Sequence, residues 1–318
     1  MKNLSRAAAI VAMIILVSTV GFAQWSWQSA NGPYAGFVYA QAVDKAGNIY
    51  AGTGGHGVYV IEKFNGDSWH ERNSGLSTTA VYTIVANDEG TIFVGTDDGI
   101  YSSTDAGEKW TDASEGLSNR FINALAVDKN GTLYAATGGG GVHRSTNHGA
   151  WWTPVNKGLP ASVVLSLAVD ASGTLFAGTD GSGIFRTFSS GNSWEEVNVG
   201  LTNQAVLTLA FDNNGNLYAG TRGGGLFSSP NGGAKWSEAN QGLHASSVYA
   251  IASDRSGNIY VGTDNGAFMS STAGASWTAI NNGLTNPVVL SLAVVPASPS
   301  SPSAILAGTG GSGVFRNQ

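Results

Sequence analysis

The chain has 318 residues, a net charge of −6 and no cysteine. The lack of thiols excludes disulfides, thiolate metal centres and a lipidated cysteine. A mildly acidic chain with 11% charged residues also lacks the Lys/Arg surplus that nucleic-acid binding needs to neutralise phosphates, so no nucleic-acid partner is expected.

The N-terminus reads as a secretory signal over residues 1–23. Lys2 and Arg6 form a positive start, Ala7–Val20 is apolar, and Gly21 and Ala23 place small residues before a cleavage point after Ala23. Its removal leaves residues 24–318 with a net charge of −8. No other apolar run approaches membrane length. The expected product is secreted or periplasmic, with no membrane span once the signal is gone.

The rest of the chain repeats with a period near 42 residues. Asp or Asn stands three residues before Gly at Asp44–Gly47, Asn87–Gly90, Asp128–Gly131, Asp170–Gly173, Asp212–Gly215 and Asp254–Gly257. A Thr follows nine residues after each Asp or Asn, from Thr53 to Thr263, and Thr309 closes the series. Trp recurs at 69, 110, 152, 194, 236 and 277. A fixed period of this length marks a repeat architecture.

Each unit reads as four short strands. The first is an apolar run such as Val206–Phe211, with a small residue at its third place (Ala40, Thr83, Ala124, Ser166, Thr208, Ala250, Ser291). Simple alternation would give it one slim and one bulky face. Asp-x-x-Gly is the hairpin turn to the second strand, as in Leu217–Thr221: Asp bonds its own backbone and Gly takes positive φ. A third strand, as in Val142–Arg144, and a fourth carrying the Trp complete the unit.

Four antiparallel strands make one propeller blade, which must stack on neighbours to bury both faces. The final unit has strands at Val288–Val294, Ala304–Thr309 and Gly313–Arg316, then stops. Trp27 lies 17 residues before Asp44, close to the 18 that separate the other Trp residues from the next turn. The N-terminal segment is therefore expected to supply the missing outer strand. The prediction is an all-β, seven-bladed β-propeller over 24–318, its ring sealed by pairing the chain ends. In the last blade the short turn gives way to the Pro/Ser-rich loop Val295–Ser303, expected to be a surface insertion.

Ser103-Thr104-Asp105-Ala106-Gly107-Glu108-Lys109-Trp110 fits Ser-x-Asp-x-Gly-x-x-Trp and resembles the Asp-box (BNR) repeat, with degenerate copies at Ser145–Trp152, Thr187–Trp194, Ser229–Trp236 and Ser270–Trp277. Gly215-Asn216-Leu217-Tyr218-Ala219-Gly220-Thr221 is similar to the two-component-regulator propeller repeat. The resemblance implies a propeller of the sialidase-like superfamily. Similar repeats occur in sialidases, xyloglucanases, sortilin-type receptors and photosystem II assembly factors, so it leaves binding, glycoside hydrolysis and assembly of a membrane complex open. In the box, Ser103, Asp105, Gly107 and Trp110 are read as fold elements, since a carboxylate can hold turn N–H groups and Trp can bury its ring.

No catalytic constellation emerges. Arg144, Arg186 and Arg316 recur at one place on the third strand, away from the axis, where a sialidase-like arginine triad would not converge. The eight Glu residues fall in turns, outer strands or loops and suggest no acid/base pair of the kind a glycosidase needs. His143 and His148 are the nearest histidines to a ligand spacing, and Asp212–Gly215 lacks the calcium-loop register. No metal or cofactor is expected.

What differs between units is one rim. There the loops between second and third strands meet the inter-blade loops that carry Arg120, Pro160, Asn203, His244 and Asn286. Asp97, Asp98, Asp180, Arg222 and Asp264 are the candidate ligand-binding residues of that rim, because recognition favours variable loops on a rigid scaffold. The expectation is a non-catalytic binding or scaffolding module for a protein or a glycan.

Overall fold

The computed structural model describes residues 25–33, 36–63, 68–160, 163–297 and 303–317. The signal segment lies outside the described residues, as do residues 298–302 of the last-blade loop. The described regular elements are all strands, arranged as seven four-stranded antiparallel sheets. No helix among the described residues is long and apolar enough to cross a membrane.

Blade four shows the plan. Its inner strand is Val164–Val169, followed by Leu175–Thr179, Ile184–Thr187 and the outer strand Glu195–Glu196. Inner strands of successive blades pack on one another around the axis. The second strand is buried along its whole length in every blade, which is why it reads as an unbroken run such as Leu-Phe-Ala-Gly-Thr. Its Gly permits the next blade to approach: a Cβ on Gly220 would stand 2.7 Å from the Val248 carbonyl oxygen. The core is correspondingly divided into seams. One seam joins Tyr134 and Val142 of blade three to Leu175, Ala177 and Trp194 of blade four.

Tryptophan fastens each seam. The Trp110 indole N–H donates to the Arg72 carbonyl of the preceding blade at 2.8 Å. Trp152 donates to Ala113 at 2.7 Å, Trp194 to Val155 at 2.6 Å, Trp236 to Val197 at 2.7 Å and Trp277 to Ala239 at 2.8 Å. The cycle continues through the closure: Trp27 donates to Ile280, and Trp69 donates to Ala30 at 3.1 Å.

The closure itself follows the sequence expectation. Trp27–Ser29 pairs antiparallel with Val314–Asn317, Trp27 opposite Asn317 and Ser29 opposite Phe315, and becomes the outer strand of blade seven. At the same seam Gln41 occupies the register that holds Ile84, Leu125, Leu167, Leu209, Ile251 or Leu292 elsewhere. Its amide donates to Ser291 Oγ at 3.0 Å, which in turn donates to the Val38 carbonyl at 2.9 Å.

Two features depart from simple alternation. Every inner strand carries a β-bulge after its first residue, shown by the register shifts from Val38/Ala40 to Val289/Ser291. One extra residue per blade re-aims a side chain. Tyr39, Tyr82, Asn123, Leu165, Leu207, Tyr249 and Leu290 occupy these places, and all seven line the axial channel. The second departure is His143, fully buried where the third strands of other blades carry Tyr or Phe. Its Nε2 lies 2.9 Å from Ser118 Oγ, and burial pushes its pKa below the ordinary histidine value.

Three outcomes are expected. Trp194→Phe keeps a ring but leaves the Val155 carbonyl without its donor, and urea denaturation should register a loss of about 1–3 kcal/mol. Deleting residues 25–29 should lower the melting temperature by many degrees, and an unchanged melting curve would refute ring closure by this strand. The third concerns pH. The unfolded chain protonates His143 near its ordinary value of 6.5, whereas the folded chain resists protonation. Stability must then fall as pH drops below about 6.5 and gain nothing from this group above it. His143→Phe should flatten the stability profile between neutral and mildly acidic pH, and superimposable profiles would rule out this role.

Candidate functional site

The two rims of the ring are built differently. One carries the Asp-x-x-Gly turns of blades one to six and the turns between third and fourth strands, which are nearly uniform from blade two to blade six. Asp44 Oδ1 accepts the Asn48 N–H at 2.8 Å, and Asp128, Asp170, Asp212 and Asp254 accept the equivalent N–H at 2.8–2.9 Å. The box residues lie on this rim and close their turn: Ser103 Oγ accepts the Gly107 N–H at 2.8 Å and donates to Asp105 at 2.7 Å, and Asp105 accepts the Lys109 N–H at 3.0 Å. The Ser103 hydroxyl, first, and the Lys109 N–H hold the Asp105 carboxyl below its usual range. Asn147 and Asn231 perform the same task with an amide oxygen.

The other rim holds the loops after the second strands. Each loop is held at its base by the repeating Thr. Thr53 donates to the Gly57 carbonyl at 2.9 Å, and Thr179 donates to Gly183 at 2.8 Å while accepting the Ser182 N–H at 3.0 Å. In five blades an Asn beyond the outer strand adds a second brace: Asn73, Asn156, Asn198, Asn240 and Asn281 accept an N–H at the start of the third strand at 2.7–2.8 Å. In blade two Ser114 accepts the Ile100 N–H at 2.9 Å. The rim is therefore a set of braced loops.

On this common frame the residue following each Thr varies: Gly54, Asp97, Gly138, Asp180, Arg222, Asp264 and Gly310. Four of the five candidate residues occupy this one register, in blades two, four, five and six. Asp180 and Arg222 meet across neighbouring blades at 2.9 Å. Asp98 accepts the Ser77 hydroxyl at 2.7 Å and pairs with Arg120 at 2.9 Å, and these bonds, the Ser77 one first, hold its carboxyl below the usual range. Arg120 also reaches Asp112 at 3.0 Å. Asp97 accepts the Thr78 hydroxyl at 2.6 Å and has no cationic partner among the described residues. Asp264 accepts the Ser246 N–H at 3.1 Å and its hydroxyl. The five thus form one inter-blade pair and three separately anchored carboxylates, with no hydrogen bond or ion pair joining these groups to one another among the described residues.

An aromatic row beside the channel mouth was not read from the sequence. Phe37 stacks on Tyr39 with centroids 5.9 Å apart and planes 8° from parallel. Tyr39 to Tyr82 is 5.4 Å, and Tyr82 to Phe121 is 5.0 Å. Phe37 and Phe121 are 49% and 40% exposed. A signal existed: the residue just before the inner strand is Ala80, Val163, Ala205, Ser247 or Val288 elsewhere, and Phe only in blades one and three. Burial first, then the charge of Asp97 and the neighbouring Tyr39, pushes the Tyr82 phenol up from its ordinary value.

The remaining polar candidates are structural. Arg144 donates to the Ser190 carbonyl at 3.1 Å and Arg186 to Gly232 at 2.8 Å, each reaching the next blade, and Arg186 also pairs with Glu195. His148 faces Glu89 at 3.4 Å. Among the described residues no group of three or more His, Asp or Glu could hold a metal ion.

Several solved structures share the fold. The extracellular domain of the putative one component system BT4673 from B. thetaiotaomicron is 20% identical with a TM-score of 0.71, covering 93% of this chain and 40% of that one. The structure of YCF48 bound to D1 peptide is 14% identical with a TM-score of 0.70, covering 93% and 96%. The GH74 xyloglucanase from Xanthomonas campestris is 18% identical with a TM-score of 0.72, covering 92% and 53%. The chain thus spans about two fifths of the length of the BT4673 domain, and at these identities the likeness is one of fold. No curated protein matches the sequence. A two component regulator propeller model matches residues 242–265. The DUF6242 beta propeller domain model matches residues 23–182, half of the chain, taking in three whole blades and the start of the fourth, and the protein belongs to that family.

Proposed function

We propose that the protein is an exported, non-catalytic binding module that takes a protein or glycan partner on the rim bearing Asp97, Asp98, Asp180, Arg222 and Asp264. One observation carries this reading. The seven units share their strand order and the Thr hydrogen bond that braces the loop, yet diverge at the residue after that Thr. Fixed backbone with variable side chains is the arrangement recognition requires. The engagement of Asp98 and Asp180 by arginines supports a binding role over acid/base chemistry, which needs a pair of carboxylates with separated pKa values. Export is supported by the Lys2/Arg6 apolar leader and by likeness to the extracellular domain of BT4673.

The test is a glycan and surface-protein array probed with the purified protein. The double variant Asp180→Ala/Arg222→Ala should weaken the partner found there by on the order of tenfold. Lys129→Ala, on the uniform rim, should leave it unchanged. Partners that respond only to the uniform rim would overturn the reading. So would turnover of a chromogenic glycoside that disappears when a single rim carboxylate is replaced.

A further inference from the structure

We propose that the row Phe37–Tyr39–Tyr82–Phe121, with Asp97 beside it, docks an arginine-bearing peptide segment. The inference rests on the reading of this rim as the binding face and names the partner's chemistry.

The row is created by two departures from the repeat, added to the bulge that every inner strand carries. Phe37 and Phe121 replace the Ala, Val or Ser that precedes the other inner strands, and Tyr39 and Tyr82 sit at bulged positions that re-aim them to the channel mouth. Gly54 and Gly138 replace the charged residues found at the same register in blades two, four, five and six. Each makes room for a ring: a Cβ on Gly54 would lie 2.6 Å from Tyr39 Cε2, and one on Gly138 would lie 3.0 Å from Phe121 Cδ1. Blades one to three therefore present aromatic rings with a single charged residue of that register, Asp97, among them.

The electrostatics select the occupant. Asp98 and Asp180 are each matched by an arginine, whereas among the described residues Asp97 has only the Thr78 hydroxyl. Aromatic faces carry negative potential and attract cations, and Arg is the commonest such partner. A guanidinium can lie flat on a ring while its N–H groups reach a carboxylate. A net charge of −8 over residues 24–318 adds long-range attraction for a basic segment. An apolar or acidic segment would cover Asp97 without neutralising it, which is costly. A neutral sugar would use the rings but leave the charge unmatched.

The experiment titrates the purified protein calorimetrically with four probes: a blocked Gly/Ser peptide carrying arginines, its lysine and glutamate counterparts, and cellohexaose. The arginine peptide should bind best, more weakly as salt rises, and the glutamate peptide and cellohexaose should not bind. Asp97→Asn and Tyr82→Leu should each weaken the arginine peptide about tenfold. Leu stands at the matching place in blades four, five and seven, so Tyr82→Leu preserves the fold. Lys129→Ala, on the uniform rim, should change binding by less than about twofold. Absence of arginine-peptide binding, or equal binding to wild type and both variants, overturns the proposal. Cellohexaose binding that is lost in Tyr82→Leu and kept in Asp97→Asn also overturns it, making the row a sugar platform. If the peptide fails while array partners still depend on Asp180 and Arg222, only the ligand class is wrong. If array partners ignore this rim, the reading beneath it falls as well.

Discussion

The structure depends on a hydrogen bond repeated seven times: an indole N–H donated to a backbone carbonyl of the preceding blade. A blade of four short strands cannot cover both of its faces, so stability resides in the seams. Tryptophan suits a seam because it buries a large apolar ring and carries one directional donor. From Trp27 to Trp277 each bond links one blade to the one before it. The bonds of Trp27 and Trp69 both involve the N-terminal strand, so the ends of the chain are tied by the same interaction that ties its middle. A ring removes the open sheet edges that a linear stack would expose.

That regular frame explains why the two rims can serve different ends. On the uniform rim, side chains are consumed in holding turns: Asp44 and its counterparts accept backbone N–H groups, and the box residues satisfy one another. On the opposite rim the bracing comes from Thr at the loop base and Asn from beyond the outer strand. Because these two residues hold the backbone, the residue next to the Thr is free to vary. Its identity changes from Gly to Asp to Arg around the ring while its place stays constant.

The resulting rim is not evenly charged. Blades four to six carry Asp180, Arg222 and Asp264, whereas blades one to three carry the aromatic row with Asp97. The bulge in each inner strand is the device that separates these regions from the packed interior, since it turns one side chain per blade toward the channel without disturbing the seam residues on either side. Val38 and Ala40 stay buried while Tyr39 between them lines the channel.

The strand count, the turn chemistry, the seven blades and the sealing of the ring were legible in the sequence, because each rests on spacing along the chain: Asp to Gly, Trp to Trp, and a last unit one strand short. The Thr register that carries Asp97, Asp180, Arg222 and Asp264 was legible for the same reason. The tertiary structure alone decided the pairing of Asp180 with Arg222, the lack of a cation at Asp97 among the described residues, the partners of the tryptophan N–H groups and the row from Phe37 to Phe121. Those contacts join residues about 40 positions apart or more, or depend on a bulge that alternation does not reveal. Repeat spacing reports what every blade shares, and contacts between blades depend on how side chains that differ are brought face to face.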